Sequence, residues 1–289
     1  METLQEIKRR IKGTDDLHSV VRTMKSLAAV NIRQYEQAMR SLDDYRRSIE
    51  LGLRAALRSR PLLPRISPPQ QTVVLIFGSD QGMVGRFNEA IIDFAESTMH
   101  ENGLAATTRI CWVAGAKAAG STEDRFGPLD QQFALPASSH QVTPAVHDLL
   151  LSFDKCRSLQ GETRLLILYN KPDAGVGYKQ CRAVLYPPDQ QWLQAIGGQS
   201  WPGRSLPLHT IPAAKLLPAL IREYLFISLF EAFAASLAAE NAARLAAMQQ
   251  AEKKIEEMGE NLTSRYHNLR QTSITEELLD VIAGFEALS

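Results

Sequence analysis

Apolar positions near the start of the chain recur in alternating steps of three and four: Leu17, Val21, Met24, Ala28, Ile32, Tyr35, Met39, Leu42, Tyr45, Ile49 and Leu53. That spacing is the seam of a coiled-coil helix. At about 1.5 Å per residue, one helix over this block would be about 85 Å long, more than a globular domain needs. Gly13, in "KGTDD", disturbs the phase and costs about 1 kcal/mol relative to alanine in a helix, so a bend or fray is expected there. "SRPLLPRISPPQ" then stops the helix with four prolines and reads as a linker over residues 59–70.

The pattern changes after the prolines. "TVVLIF", "TRICWVAG" and "TRLLILY" are short apolar runs rich in β-branched residues, with helical stretches near 86–100, 115–125 and 142–153 between them. Alternating strand and helix predicts a mostly parallel sheet with helices on its faces, and "CRAVLY" supplies a fourth strand. From about Pro212 the helical period returns. Leu217, Leu220, Tyr224, Ile227, Ala234, Ala238, Leu245, Met248, Ile255, Leu262, Tyr266 and Leu269 fit one heptad frame, with Glu231, Asn241, Glu252 and Gly259 at its remaining seam positions. Nine alanines between Ala232 and Ala247 allow another helix to come close and favour a rod of about 110 Å. The expected fold class is α/β, a Rossmann-like domain flanked by long N- and C-terminal helices that form an antiparallel coiled coil. The expected boundaries are 1–58 for the first helix, 59–70 for the linker, 71–210 for the α/β domain and 211–289 for the helix that pairs with 1–58.

Charge supports that pairing. Lys plus Arg equals Asp plus Glu at 32 each, so the chain has no net field to attract nucleic acid or an anionic membrane. By block, however, residues 1–60 hold 13 basic and 8 acidic side chains, and residues 215–289 hold 7 and 11. Two helices of opposite sign can lie side by side, with flanking charges setting register. Cys111, Cys156 and Cys181 have no C-x-x-C spacing, which suits reduced thiols. "METLQEIKRRIK" begins helical periodicity without an apolar run, so the mature chain is expected to start at Met1. "LFISLFEAFAASLAA" is interrupted by Glu231, and is too short to cross about 30 Å of hydrocarbon.

The chemical motifs point away from catalysis. "FGSDQGMVGRFN", residues 77–88, turns a strand into a helix with Gly78, Gly82 and Gly85, the position of a phosphate-cradling loop. A Walker loop needs Gly-Lys-Ser/Thr, but Gly85 is followed by Arg86 and Phe87. A dinucleotide fingerprint needs G-x-G-x-x-G and a ribose-binding acid after the next strand, and that strand ends "CWVAGAK". The six histidines are scattered without metal-ligand spacing, "KPDAGVGYK" at 171–179 reads as a solvent-exposed turn, and no G-x-S-x-G is present. The expectation is a non-enzyme with no cofactor and no metal. The alternatives are a coiled-coil adaptor with an embedded domain and a nucleotide-binding α/β enzyme.

Three segments carry a resemblance. "KRRIKGTDDLHSVVRTMKSLAAVNIRQYE" resembles the N-terminal helix of the gamma subunits of F-type ATP synthases, "FGSDQGMVGRFNEAI" resembles that family's S-D-x-G-x-x-G-x-x-N loop, and "ENAARLAAMQQAEKKIEEMGENLTSRYHNLRQTSITEELLDVIAGFEAL" resembles its C-terminal helix. The resemblance implies a central stalk turning inside a ring of alpha and beta subunits, its foot joining epsilon to the membrane c-ring. It implies torque transmission during ATP synthesis or ATP-driven ion pumping, without chemistry in this subunit, as a peripheral membrane protein on the cytoplasmic face of a bacterial plasma membrane. It places contacts with the acidic lever of beta at Met24 and Lys25, with Arg33 a turn or two on, and a polar catch at Arg270 and Gln271, with Thr275 and Glu277 nearby. Arg86 stands where the family has a second glycine, and Phe285 and Glu286 replace alanines of its usual ending. With the neutral net charge, these departures resemble a divergent branch such as the alternative bacterial F-type enzymes.

Overall fold

The computed structural model describes residues 3–59, 69–173, 177–203 and 210–286. Its helices are α1 (Leu4–Arg40), α2 (Asp43–Ser59), α3 (Phe87–Glu101), α4 (Ala116–Phe126), α5 (Val142–Gln160), α6 (Gln190–Gly198) and α7 (Ala213–Glu286). Its strands are β1 (Gln71–Phe77), β2 (Arg109–Ala114), β3 (Gln131–Phe133), β4 (Thr163–Pro172) and β5 (Tyr178–Tyr186). They form one sheet in the order β3-β2-β1-β4-β5, parallel except for the β4/β5 hairpin. The chain divides into two compact units, residues 1–28 with 245–289, and residues 29–244.

In the larger unit, β1 is central and covered on both faces, which is why "TVVLIF" has no polar alternation. Val73, Leu75 and Phe77 of β1 share one cluster with Trp112, Leu165 and Ile167, under Val146, Leu149 and Phe153 of α5 and Leu229, Phe233 and Leu237 of α7. Val74 and Ile76 point the other way, with Cys111, Val113 and Leu168, under Ile91 and Ala95 of α3 and Ala118 of α4. The period of two along each strand thus separates two apolar layers. Residues 232–240 of α7 are all buried, as befits a helix apolar all round. Their alanines let the α7 backbone approach the sheet, and Phe233 meets Phe77 edge-on with ring centres 4.7 Å apart. A third cluster joins Leu53 and Leu57 of α2 to Leu193 and Ile196 of α6 and Leu217 of α7.

The smaller unit is a helix pair from the two ends of the chain. Ile7, Thr14 and Val21 of α1 are buried at seven-residue spacing, and Met248 and Leu262 are the buried positions of α7. Half-buried Ile255, Gly259, Tyr266 and Leu269 complete the expected α7 frame. The α1 seam keeps the frame read in sequence at Val21, Met24 and Ala28, and departs from it only at its start. Thr14 and His18 occupy it, and Leu17 is 57% exposed. A threonine fits because Gly259 lies opposite, its Cβ direction 3.7 Å from the Thr14 methyl.

Other expectations are corrected. Gly13 does not fray the first helix, since α1 runs through it to Arg40 with open space beside it. The break lies at Ser41 and Leu42, where the Leu42 N–H donates to Met39 O in a tighter turn and Asp43 and Asp44 start a new helix. β3 and α6 were not anticipated. Most of the proline linker, residues 60–68, and residues 174–176 of "KPDAGVGYK" lie outside the described residues. No described helix is long and apolar enough to cross a membrane.

Candidate functional site

The glycine loop lies at the carboxyl end of β1, where the chain turns to β2 on one side and later to β4 on the other. Ligands of doubly wound sheets bind at such a switch point, often on exposed helix N–H groups. Here the loop turns its own acceptors on the neighbouring helix, α4. The Asp80 carboxylate accepts the Ala116 N–H at 2.8 Å through one oxygen and the Leu135 N–H at 3.2 Å through the other. Ser79 O accepts the N–H groups of Lys117 and Ala118 at 3.0 and 3.3 Å. The start of α4, the helix after β2, is thereby capped by the loop itself.

The rest of the loop is fixed as tightly. Asn88 accepts the Ser79 N–H at 3.0 Å and donates to Ser79 Oγ at 2.8 Å. A Cβ on Gly78 would lie 2.0 Å from the Ala118 Cβ, and Gly115, at φ 119°, would meet Ser79 backbone at 2.8 Å. Gly85 needs its φ of 58° and no close approach. Gly82 meets neither constraint. Phe87 is fully buried, packs on Val84 and Ala239, and stacks edge-on with Tyr178 at 5.2 Å. The loop therefore ties sheet, α3, α4 and α7 together. Arg86 stays exposed beside Glu89 at 3.2 Å.

Close to the same loop, α7 buries the ion pair of Glu240 and Arg244 at 2.6 Å. Burial raises the Glu240 carboxyl above its usual range, against the pull of Arg244, and Asp80 adds to the rise. Asn241 donates to Leu237 O and accepts from Asn31 of α1 at 3.3 Å. These are the first residues of "ENAARLAAM", so the motif most visible in sequence serves the joint between α7 and α1 within this unit.

The seven residues proposed for partner contacts are placed as follows. Met24 and Lys25 of α1 are half-buried, and the Lys25 ammonium donates to Glu252 at 2.5 Å, which holds that carboxyl below its ordinary range. Arg33 is exposed in the larger unit. Arg270, Gln271, Thr275 and Glu277 are all exposed on α7, and the Thr275 hydroxyl donates to Gln271 O at 2.8 Å. Arg33 and Arg270 make no ion pair with the described residues. At about 100° per residue, Ile274, Leu278, Val281 and Ile282 share the face of Arg270, Gln271 and Thr275. All four are 46% exposed or more. On α1, exposed Leu17, Val20 and Leu27 flank Met24 in a second stripe.

Sequence reasoning missed one constellation. His18 of α1 lies 3.9 Å from Glu252 and 3.6 Å from Glu256 of α7, although no motif links them. The available signal was a pair of glutamates four apart at the edge of one seam and a histidine on the other helix.

The fold and these surfaces define a stalk-type protein: two chain ends paired as helices, and a Rossmann-like domain whose glycine loop is built into the packing of sheet and helices. The chain belongs to the ATP synthase family, whose sequence model matches residues 3–288, and it is a non-catalytic stalk subunit there. It is similar to the ATP synthase gamma chain of Chlorobaculum tepidum, 29% identical over 303 residues that cover 100% of this chain and 99% of the relative. It is 28% identical to the ATP synthase gamma chain of Salinibacter ruber over 310 residues, with 100% and 99% covered. Among solved structures, the fold resembles a chain of the Euglena gracilis mitochondrial ATP synthase OSCP/F1/c-ring in rotational state 3. The TM-score is 0.68 at 16% identity, covering 99% of this chain and 94% of that one. A chain of the Tetrahymena thermophila central stalk and c-ring matches with TM-score 0.57 at 17% identity, over 80% of this chain and 99% of that one.

Proposed function

We propose that this chain is the rotor shaft of an ATP synthase or ATPase, carrying torque between a membrane c-ring and the catalytic beta subunits of an alpha and beta ring. Family membership supports the role, and the observation that carries the mechanism is the uncovered face of α7 past Leu269. Large apolar side chains left open on a helix end mark a surface made for a partner. A surrounding ring of subunits covers such a face from any angle, so the shaft turns against it. Arg270 and Gln271 stand on the same face, where the guanidinium fork grips a carboxylate of a beta loop. A charge-assisted hydrogen bond contributes about 1.5–3 kcal/mol, strong enough to hold and weak enough to release within a cycle.

Thr275 and Glu277 extend that catch along the helix. On α1, Met24 and its apolar neighbours meet the lever of beta. Lys25 acts there while tied to Glu252, so it presents a paired charge, and Arg33 presents an unpaired one. The α/β domain is the foot, joined to epsilon and the c-ring. The complex is peripheral to a membrane, and its proposed location is the cytoplasmic face of a bacterial plasma membrane, in keeping with the bacterial sources of the two gamma chains named above.

The test replaces Arg270 and Gln271 by alanine in the assembled complex. Normal assembly with coupled ATPase activity reduced about tenfold, equivalent to about 1.4 kcal/mol, is the expected result. Unchanged coupled activity removes the catch assignment. Absence of alpha and beta subunits from the complex that the chain forms in its native membranes counts against the shaft itself.

A further inference from the structure

We infer that His18, Glu252 and Glu256 form a divalent-cation site, suited to zinc, that clips α1 to α7. Among the described residues this is the one group of three histidine, cysteine or carboxylate side chains whose ligand atoms all fall within 4.8 Å of one another. The three residues belong to the same compact unit.

The decisive detail is the imidazole. His18 Nε2 is enclosed and has no hydrogen-bond partner among the described residues. It points at Glu256 Oε1 from 3.6 Å and at Glu252 Oε1 from 3.9 Å. Both distances are too long for a hydrogen bond. They are close to the separation of two ligands around one tetrahedral ion, about 3.3–3.4 Å for metal–ligand bonds of about 2.0–2.1 Å. The three ligand atoms lie within 4.8 Å of one another, so side-chain rotation alone can close them around one ion.

Neighbouring groups shape the site. Glu252 and Glu256 are four apart on α7 and so lie one above the other on its surface. The second oxygen of Glu252 is held by Lys25 at 2.5 Å, which leaves Oε1 turned toward His18 and fixes it as an outer-shell partner would. One imidazole and two carboxylates, with a fourth position open to water, suit zinc better than calcium or magnesium, which favour all-oxygen sites. Lys25 and Arg22 oppose the cation, since both act on Glu252. The site is therefore of moderate affinity. Because the ligands come from both ends of the chain, an ion here stiffens the helix pairing beside Met24 and Lys25.

The experiment titrates the full chain, stripped with a chelator, with zinc chloride at pH 7.5 in a calorimeter and follows the thermal melt in parallel. One ion per chain and a raised Tm are expected. His18→Ala and Glu256→Gln should each weaken binding at least tenfold and cancel the Tm rise, with helicity by circular dichroism unchanged. Cobalt substituted for zinc should give a visible absorption band that is lost in His18→Ala. Absence of saturable binding, or affinity unchanged in His18→Ala, overturns the site. A stability loss in His18→Ala that is the same with and without zinc makes the contact independent of metal and likewise overturns it.

Discussion

Replacing Gly78 by alanine tests the account of the loop most sharply. The new Cβ would lie 2.0 Å from the Ala118 Cβ and 3.1 Å from the Asn88 side-chain oxygen. Neither can swing aside, because the alanine methyl is fixed to the α4 backbone and Asn88 is held by Ser79 on both of its polar atoms. The start of α4 must retreat by more than an ångström to restore van der Waals contact. That motion stretches the Lys117 and Ala118 N–H bonds to Ser79 O, now 3.0 and 3.3 Å. Overpacking costs about 1–3 kcal/mol, and two weakened hydrogen bonds add about 1 kcal/mol each. A loss of about 3–5 kcal/mol follows. For a unit of this size about 2–4 °C is lost per kcal/mol, so Tm should fall by about 6–20 °C. Thermal and urea unfolding of the full chain measure it, and the pair Gly78→Ala with Ala118→Gly isolates the contact. The double variant should recover most of the loss, less about 1 kcal/mol for glycine in a helix. A single variant melting within about 2 °C of the parent, or a double variant no better than the single, would refute the reasoning.

Two further outcomes follow from electrostatics and burial. Lys25 depresses the Glu252 carboxyl below its ordinary 4.5, so this pairing stabilises the helix pair fully above pH 4.5 and is lost as pH falls through the depressed value. Acid titration of helicity should show that loss in the parent and not in Lys25→Gln; identical acid limbs would remove the pair from the account. Burial pushes the Cys111 thiol up to about 11, so it should resist alkylation at pH 8 in the folded chain while half-buried Cys181 reacts, and all three thiols should react in denaturant. Equal native rates for Cys111 and Cys181 would contradict the packing around β2.

Much of this architecture was legible because it is periodic. The α7 frame from Leu217 to Leu269 places buried and half-buried residues along one helix, and the apolar runs of β1, β2 and β4 are covered on both faces. Neighbouring residues with the same environment repeat a signal, and repetition survives without coordinates. Gln131–Phe133 and Gln190–Gly198 are short, so they repeat too little to be seen. The glycine loop was legible as a turn lacking a nucleotide lysine. That Asp80 fills the start of α4 required the structure, because Asp80 and Ala116 are joined only by the parallel register of β1 and β2.

The sequence by itself determined the helix-sheet-helix order, the seam of α7, the absence of a Walker or dinucleotide motif, and the residues that resemble a stalk subunit. Each depends on neighbours a few positions apart. Tertiary structure alone decided that Thr14 and His18, not Leu17, face α7 at the start of the seam, because the side chains across the interface set which residue enters it. It also decided that the first helix breaks at Ser41 and Leu42, and that His18 meets Glu252 and Glu256. Contacts between residues far apart in the chain are fixed by packing, and packing is a property of the whole unit and leaves no local pattern.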